Sequence, residues 1–190
     1  MLTSIFYIYI YTMKNTFKPS LLILILLLFV YSCSKDESGP DLVDPVPELT
    51  FTVEDLDGNT FVDNQLLEFS TVEYPDASLG FNVRNTSSEI IGMRIEVESI
   101  SGTDGSMMEL CFGECYFGVS SGTSYPTSPS MPNVNIEPAQ TQPSSGDHFF
   151  NMDAGDGNAA VEYVFKFYLA DENGIQDGNS LRLRYRYTQN

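Results

Sequence analysis

Few residue types in this chain can do chemistry, and the scarcest are the most informative. Three cysteines (Cys33, Cys111 and Cys115) and one histidine, His148, occur in 190 residues. One His and three Cys cannot build a Cys/His zinc site unless carboxylates fill the remaining positions. Three residues separate Cys111 from Cys115. In an oxidising exterior two thiols this close pair, and a turn at Gly113 lets the chain reach disulfide geometry. The loop so closed is small, so its entropic stabilisation is modest. The functional alternative is a redox pair. That motif spaces its cysteines by two and uses a helix N-terminus to depress one thiol pKa, and neither feature is present. Cys111 and Cys115 are therefore read as a structural disulfide.

Gly118-Val119-Ser120-Ser121-Gly122 matches G-x-S-x-G. A nucleophile elbow needs a strand before the serine and a helix after it. Here Pro126 and Pro129 follow closely and no helix can start. The only acidic residues between Ser120 and His148 are Glu137 and Asp147, and Asp147 is poorly placed to orient the ring of its neighbour. His148 reads as a partly exposed strand residue, and no catalytic residue is assigned.

Carboxylates are the abundant group. Alternating Asp, Asn and Gly at 55–59, 153–158 and 171–179 can ligate calcium, most plausibly at Asp153 and Asp156, although none follows the EF-hand order with glycine sixth. The competing reading is turn chemistry in an acidic protein. With 26 acidic residues, carboxylate pairs for glycoside hydrolysis are always available and nothing singles one out. Carbohydrate binding favours exposed aromatic planes. The chain has no Trp, which leaves Tyr116, Phe117 and Tyr125 as a candidate platform beside the cysteine loop; the alternative packs Phe117 under that loop.

The net charge is −17, with no basic run. That excludes ordinary nucleic-acid binding, which needs cations to displace phosphate counterions. Arg182, Arg184, Arg186 and Lys166 are brought close by a final hairpin. They are expected to face Glu96, Glu98 and Glu162 across neighbouring strands.

Residues 13–33 read MKNTFKPSLLILILLLFVYSC. Lys14 and Lys18 precede an unbroken apolar run, Leu21 to Val30. Ten residues suit a signal-peptide core and fall short of the roughly 20 needed to span a bilayer. Val30-Tyr31-Ser32-Cys33 resembles a bacterial lipobox. The resemblance implies that residues 1–32 are a leader and that Cys33 is lipidated and anchors the chain in a membrane. Residues 1–12 add no positive start, so translation from Met13, with the upstream dozen a gene-start error, is the simplest account. Ser34-Lys35-Asp36-Glu37 resembles the export signal of Bacteroidota surface lipoproteins, which implies an outer-membrane protein exposed at the cell surface. Residues 33–47 form the lipidated terminus and acidic tether. They favour no burial, and Pro40, Pro45 and Pro47 stiffen them.

The elements that must position any site are strands. From 48 to 190 no helical period appears, and alternation at period two is broken by Gly, Pro, Asn and Asp. Leu49, Phe51 and Val53; Leu67 and Phe69; Leu79, Phe81 and Val83; Met93, Ile95 and Val97; and Val134 and Ile136 mark strands. Val161 to Leu169 and Leu181 to Tyr187 form the clearest pair, joined by turn residues 171–179. Residues 120–146 read as a long loop carrying one edge strand. Seven to nine short strands predict an all-β, antiparallel sandwich in one domain, 48–190. Cys111-Phe-Gly-Glu-Cys115, Ile136-Glu-Pro138, Asp147-His-Phe-Phe150 and the closing hairpin resemble immunoglobulin-like modules of exported Bacteroidota proteins. The resemblance implies fold and location but no activity. The whole reads as a non-catalytic surface lipoprotein whose module binds an unnamed glycan or protein. A structural spacer or accessory subunit of a surface complex is the alternative.

Overall fold

Alternation dominates the folded chain. The computed structural model describes residues 49–142 and 146–189, all within the unit Pro47–Asn190. The expected leader, Cys33 and the tether lie outside the described residues. Twelve strands form: β1 Phe51–Glu54, β2 Gln65–Phe69, β3 Ser78–Gly80, β4 Asn82–Asn85, β5 Ile91–Ser101, β6 Met108–Phe112, β7 Glu114–Phe117, β8 Thr123–Tyr125, β9 Val134–Ile136, β10 His148–Asn151, β11 Val161–Ala170 and β12 Gln176–Tyr187. No helix occurs among the described residues. The fold is the all-β, immunoglobulin-like sandwich expected, with more strands than the seven to nine anticipated.

One layer is the six-stranded sheet β2-β12-β11-β5-β8, with β9 also on β5; the other contains β3-β10-β6-β7, and β1 pairs with β4 beside it. Phe149 of β10 lies flat on Phe165 of β11, with ring centroids 3.7 Å apart, and Phe81 meets Phe167 edge-on at 5.2 Å. These contacts join the layers. Met93, Ile95, Phe165, Phe167 and Leu183 line the core from one side; Met108, Leu110, Phe112 and Phe149 line it from the other, all fully or almost fully buried.

Three details depart from the sequence reading. β2 runs parallel to β12, Leu183 opposite Gln65, so the sheet is not purely antiparallel. The stretch 120–146 carries two short strands, β8 and β9, and both add to β5. Arg94 of β5 holds this stretch by donating to the carbonyls of Pro132, Ser124 and Pro126. Only Asp171 to Ile175 forms the turn before β12, where Asp171 Oδ1 accepts from the amides of Asn173 and Ile175; Asp177 and Gly178 already belong to the strand.

Outward residues of the six-stranded sheet form an ion-pair ladder. Arg182 grips Glu98 with two bonds of 2.7 and 2.9 Å and holds that carboxyl below the usual range. Lys166 pairs with Glu96 and Glu98. Glu162 bridges Arg184 and Arg186 at 2.7 and 2.8 Å. Burial opposes its ionisation, but the two guanidiniums outweigh that effect and lower its pKa. The basic cluster is thus paired within its own sheet, as its spacing predicted.

Candidate functional site

The small sheet carries the chemistry. Its register aligns Gly80, His148, Cys111 and Cys115 in one row across β3, β10, β6 and β7, and Ser78, Phe150, Glu109 and Phe117 in the next. Side chains two apart share a face, so both rows point away from the core that Phe149, Leu110 and Phe112 fill. Four strands about 4.8 Å apart make each row about 14 Å long.

Two loops raise walls on this face. Tyr74 stands edge-on to Phe150 at 5.6 Å and is 72% exposed. Leu56 is 71% exposed and leans over Gly80, where a Cβ would come 2.7 Å from Leu56 Cδ1. The Leu56 loop is fixed by Asp55, whose Oδ1 accepts from the amides of Asp57 and Asn59. Between the walls lies an open cleft of about 670 Å³ lined by Leu56, Tyr74, Asp76, Ser78, Asp147 and His148. Its size falls within the usual range for small-molecule sites, about 300–1,000 Å³. Phe117, 71% exposed, ends the second row at the opposite edge of the sheet.

The floor is braced by polar contacts. The Cys111–Cys115 disulfide closes the β6–β7 hairpin, whose apex is Gly113 at φ +71°. The Gly113 amide donates to Asp147 Oδ1 at 3.1 Å. Asp147 is buried, and its Oδ2 has no partner among the described residues. Burial pushes its pKa up to about 6, against the Gly113 amide and the His148 charge, which favour ionisation. His148 Nδ1 meets the Gly146 carbonyl. A carbonyl only accepts, so Nδ1 carries the hydrogen and a neutral ring keeps its lone pair on Nε2. Nε2 lies 3.7 Å from Glu109 Oε2.

The aromatic platform predicted at Tyr116, Phe117 and Tyr125 does not form. Tyr125 is 5% exposed, and the half-buried Tyr116 packs on it with ring centroids 4.9 Å apart. Burial raises both phenol pKa values. Alternation is the reason: Tyr116 and Phe117 are consecutive on β7 and must face opposite ways. Nor does Phe117 pack under the cysteine loop. Ser120 sits in a turn leading to strand β8 rather than a helix.

Asp153 accepts from Thr103 Oγ1 and the Gly155 amide, and Asp156 from the Asn158 amide and side chain. These carboxylates stitch turns. Among the described residues the clustered ligand atoms are those of Glu109, Cys111 and His148, within 4.8 Å of one another. The sequence reading passed over Tyr74, Leu56, Phe150, Glu109 and Asp76. Only Phe150 left a linear signal, an apolar residue at a β10 position where alternation asks for a polar one; Leu56, Tyr74 and Asp76 lie in loops, and Glu109 is one acid among 26.

No family model matches the chain, and no curated protein matches it. Among solved structures, the N-terminal domain of PorA aligns over 72% of this chain and 96% of that one, with a TM-score of 0.43 and 16% identity. The CooA pilin subunit of enterotoxigenic Escherichia coli aligns over 75% and 99%, with a TM-score of 0.37 and 11% identity.

Proposed function

We propose that the chain is a lipid-anchored cell-surface module that binds a neutral saccharide, without catalysis, on the outer face of its small sheet. One observation carries this reading: an exposed ring, Tyr74, forms the wall of a cleft with hydrogen-bonding groups on its floor. A pyranose has an apolar face that stacks on such a ring and hydroxyls that satisfy Ser78, Asp76 and His148. The acidic cleft and the net charge of −17 disfavour anionic sugars. A spacer has no need for exposed Tyr74, Leu56 and Phe117.

The full chain is tested by titration against neutral and acidic oligosaccharides. A neutral one is expected to bind at micromolar to millimolar levels, Tyr74→Ala to weaken it at least tenfold, and no cleavage product to appear. Equal binding by Tyr74→Ala, no neutral ligand, or released product overturns the reading. The anchor rests on the lipobox resemblance at Cys33. Cells fed a palmitate analogue are expected to label the protein, and Cys33→Ala to abolish the label and release the chain from the membrane fraction. Undiminished labelling of that variant overturns the anchor.

A further inference from the structure

The row His148–Cys111–Cys115 meets a condition that residue counts alone left open. One His and two Cys need a carboxylate to complete a tetrahedral set, and the fold supplies Glu109. Cys111 stands directly between His148 on β10 and Cys115 on β7. Glu109, two residues earlier on β6, shares their face. Cys111 Sγ lies 3.9 Å from Glu109 Oε1, and His148 Nε2 lies 3.7 Å from Glu109 Oε2. Ligand atoms on a tetrahedral zinc ion, bonded at 2.0–2.3 Å, are separated by about 3.3–3.8 Å. The imidazole is oriented as a metal-binding histidine requires, its Nδ1–H on the Gly146 carbonyl and its Nε2 lone pair toward the cluster.

We propose that Glu109, Cys111, Cys115 and His148 form a divalent-metal site of the zinc type in the dithiol state, and that the disulfide and the metal are mutually exclusive occupants of the same two sulfurs. Metal binding replaces two S–H bonds with two metal–thiolate bonds and releases two protons. Disulfide closure removes two protons and two electrons, which a thiol oxidant accepts, and leaves no thiolate to ligate. A dithiol reductant reverses closure by exchange and becomes the disulfide itself. The site therefore belongs to the chain before its hairpin is locked. A bound ion would hold the hairpin in the register the disulfide later fixes, and would shield the thiols from oxidant.

The test uses the full chain in mild detergent, carrying Cys33→Ser to remove the third thiol, with Co²⁺ as a spectroscopic probe and Zn²⁺ as competitor. The reduced protein is expected to bind one Co²⁺ with thiolate charge-transfer and tetrahedral d–d bands. Zn²⁺ should displace it and should slow oxidation by diamide at least tenfold. His148→Ala and Glu109→Ala should each weaken binding tenfold or more, and the oxidised protein should show no thiolate band. Cys115→Ser cannot form the disulfide yet retains the three clustered ligands, so it should bind Co²⁺ with one thiolate. Near-ultraviolet circular dichroism reports whether each form stays folded. Absence of thiolate bands in both the reduced protein and Cys115→Ser overturns the site, as does binding that His148→Ala leaves unchanged. Unfolding of the reduced chain that metal does not reverse also overturns it. None of these readouts depends on saccharide binding.

Discussion

Phe149→Ala is expected to destabilise the domain by about 3–5 kcal/mol, a large share of the roughly 5–15 kcal/mol that holds a typical domain folded. Phe149 is fully buried. Its ring lies flat on Phe165 with an interplanar angle of 4°, and it also meets Phe81 at 4.7 Å and Phe167 at 5.9 Å. Truncation removes the transfer term, leaves a cavity between two sheets that cannot collapse independently, and loses ring contacts worth about 0.5–1.5 kcal/mol each. Its neighbour Phe150 is the control. It points outward and is half-buried under Tyr74, so Phe150→Ala should cost only about 1 kcal/mol, in line with its smaller buried area. Denaturant unfolding of both variants checks the pair. Equal costs would mean that β10 does not alternate as described, and with it the placement of His148 in the cleft and of Phe150 beneath Tyr74 would fall.

Asp147→Asn is expected to stabilise the domain at pH 8 by about 1–3 kcal/mol and to change it little at pH 4. The sign follows from where the proton sits. Burial raises the folded-state pKa to about 6, whereas the unfolded carboxyl titrates near 3.9. Between these values the folded chain keeps a proton that the unfolded chain has released. Stability from this group is therefore complete below about pH 4, falls as pH rises through the interval, and stays reduced above about 6. Asparagine removes the ionisation cost and keeps an oxygen for the Gly113 amide, so the hairpin apex remains tied to β10. Glu98 and Glu162, whose pKa values are lowered by arginine partners, act in the opposite direction, losing stability as pH falls. The difference between variant and wild type cancels them. Unfolding curves at pH 4, 6 and 8 are the check. A gain independent of pH, or a loss at pH 8, would contradict the ionised, buried carboxyl.

Strands whose outer face is polar were legible in the chain. β5, β11 and β12 alternate apolar with charged residues, and even the partners of Arg182, Arg184 and Arg186 followed from spacing, because cross-strand neighbours on one face must meet. Two strands of the small sheet, β6 and β10, were harder to read from the chain. β6 reads Met-Glu-Leu-Cys-Phe and β10 reads His-Phe-Phe-Asn. Cys111 and Phe150 are apolar residues on the outward face, so they hide the period. Such departures are expected where a surface has a task besides being solvated. Similarly, Tyr116, Phe117 and Tyr125 are close in sequence, yet two of them face inward because the pleat gives consecutive residues opposite faces.

By itself the sequence determined the class of fold, the charge, the pairing of the basic cluster, and the chemical inventory of two close cysteines and one histidine. Each follows from composition or from local periodicity, which the chain carries along its length. Only the tertiary structure decided which of the 26 acidic residues stands beside that histidine, which aromatic rings are exposed, and that His148 and Cys111, 37 positions apart in the chain, are cross-strand partners. Those facts depend on the register between strands distant in sequence. Register is set by the burial of a shared core, and nothing local to His148 or Glu109 encodes it.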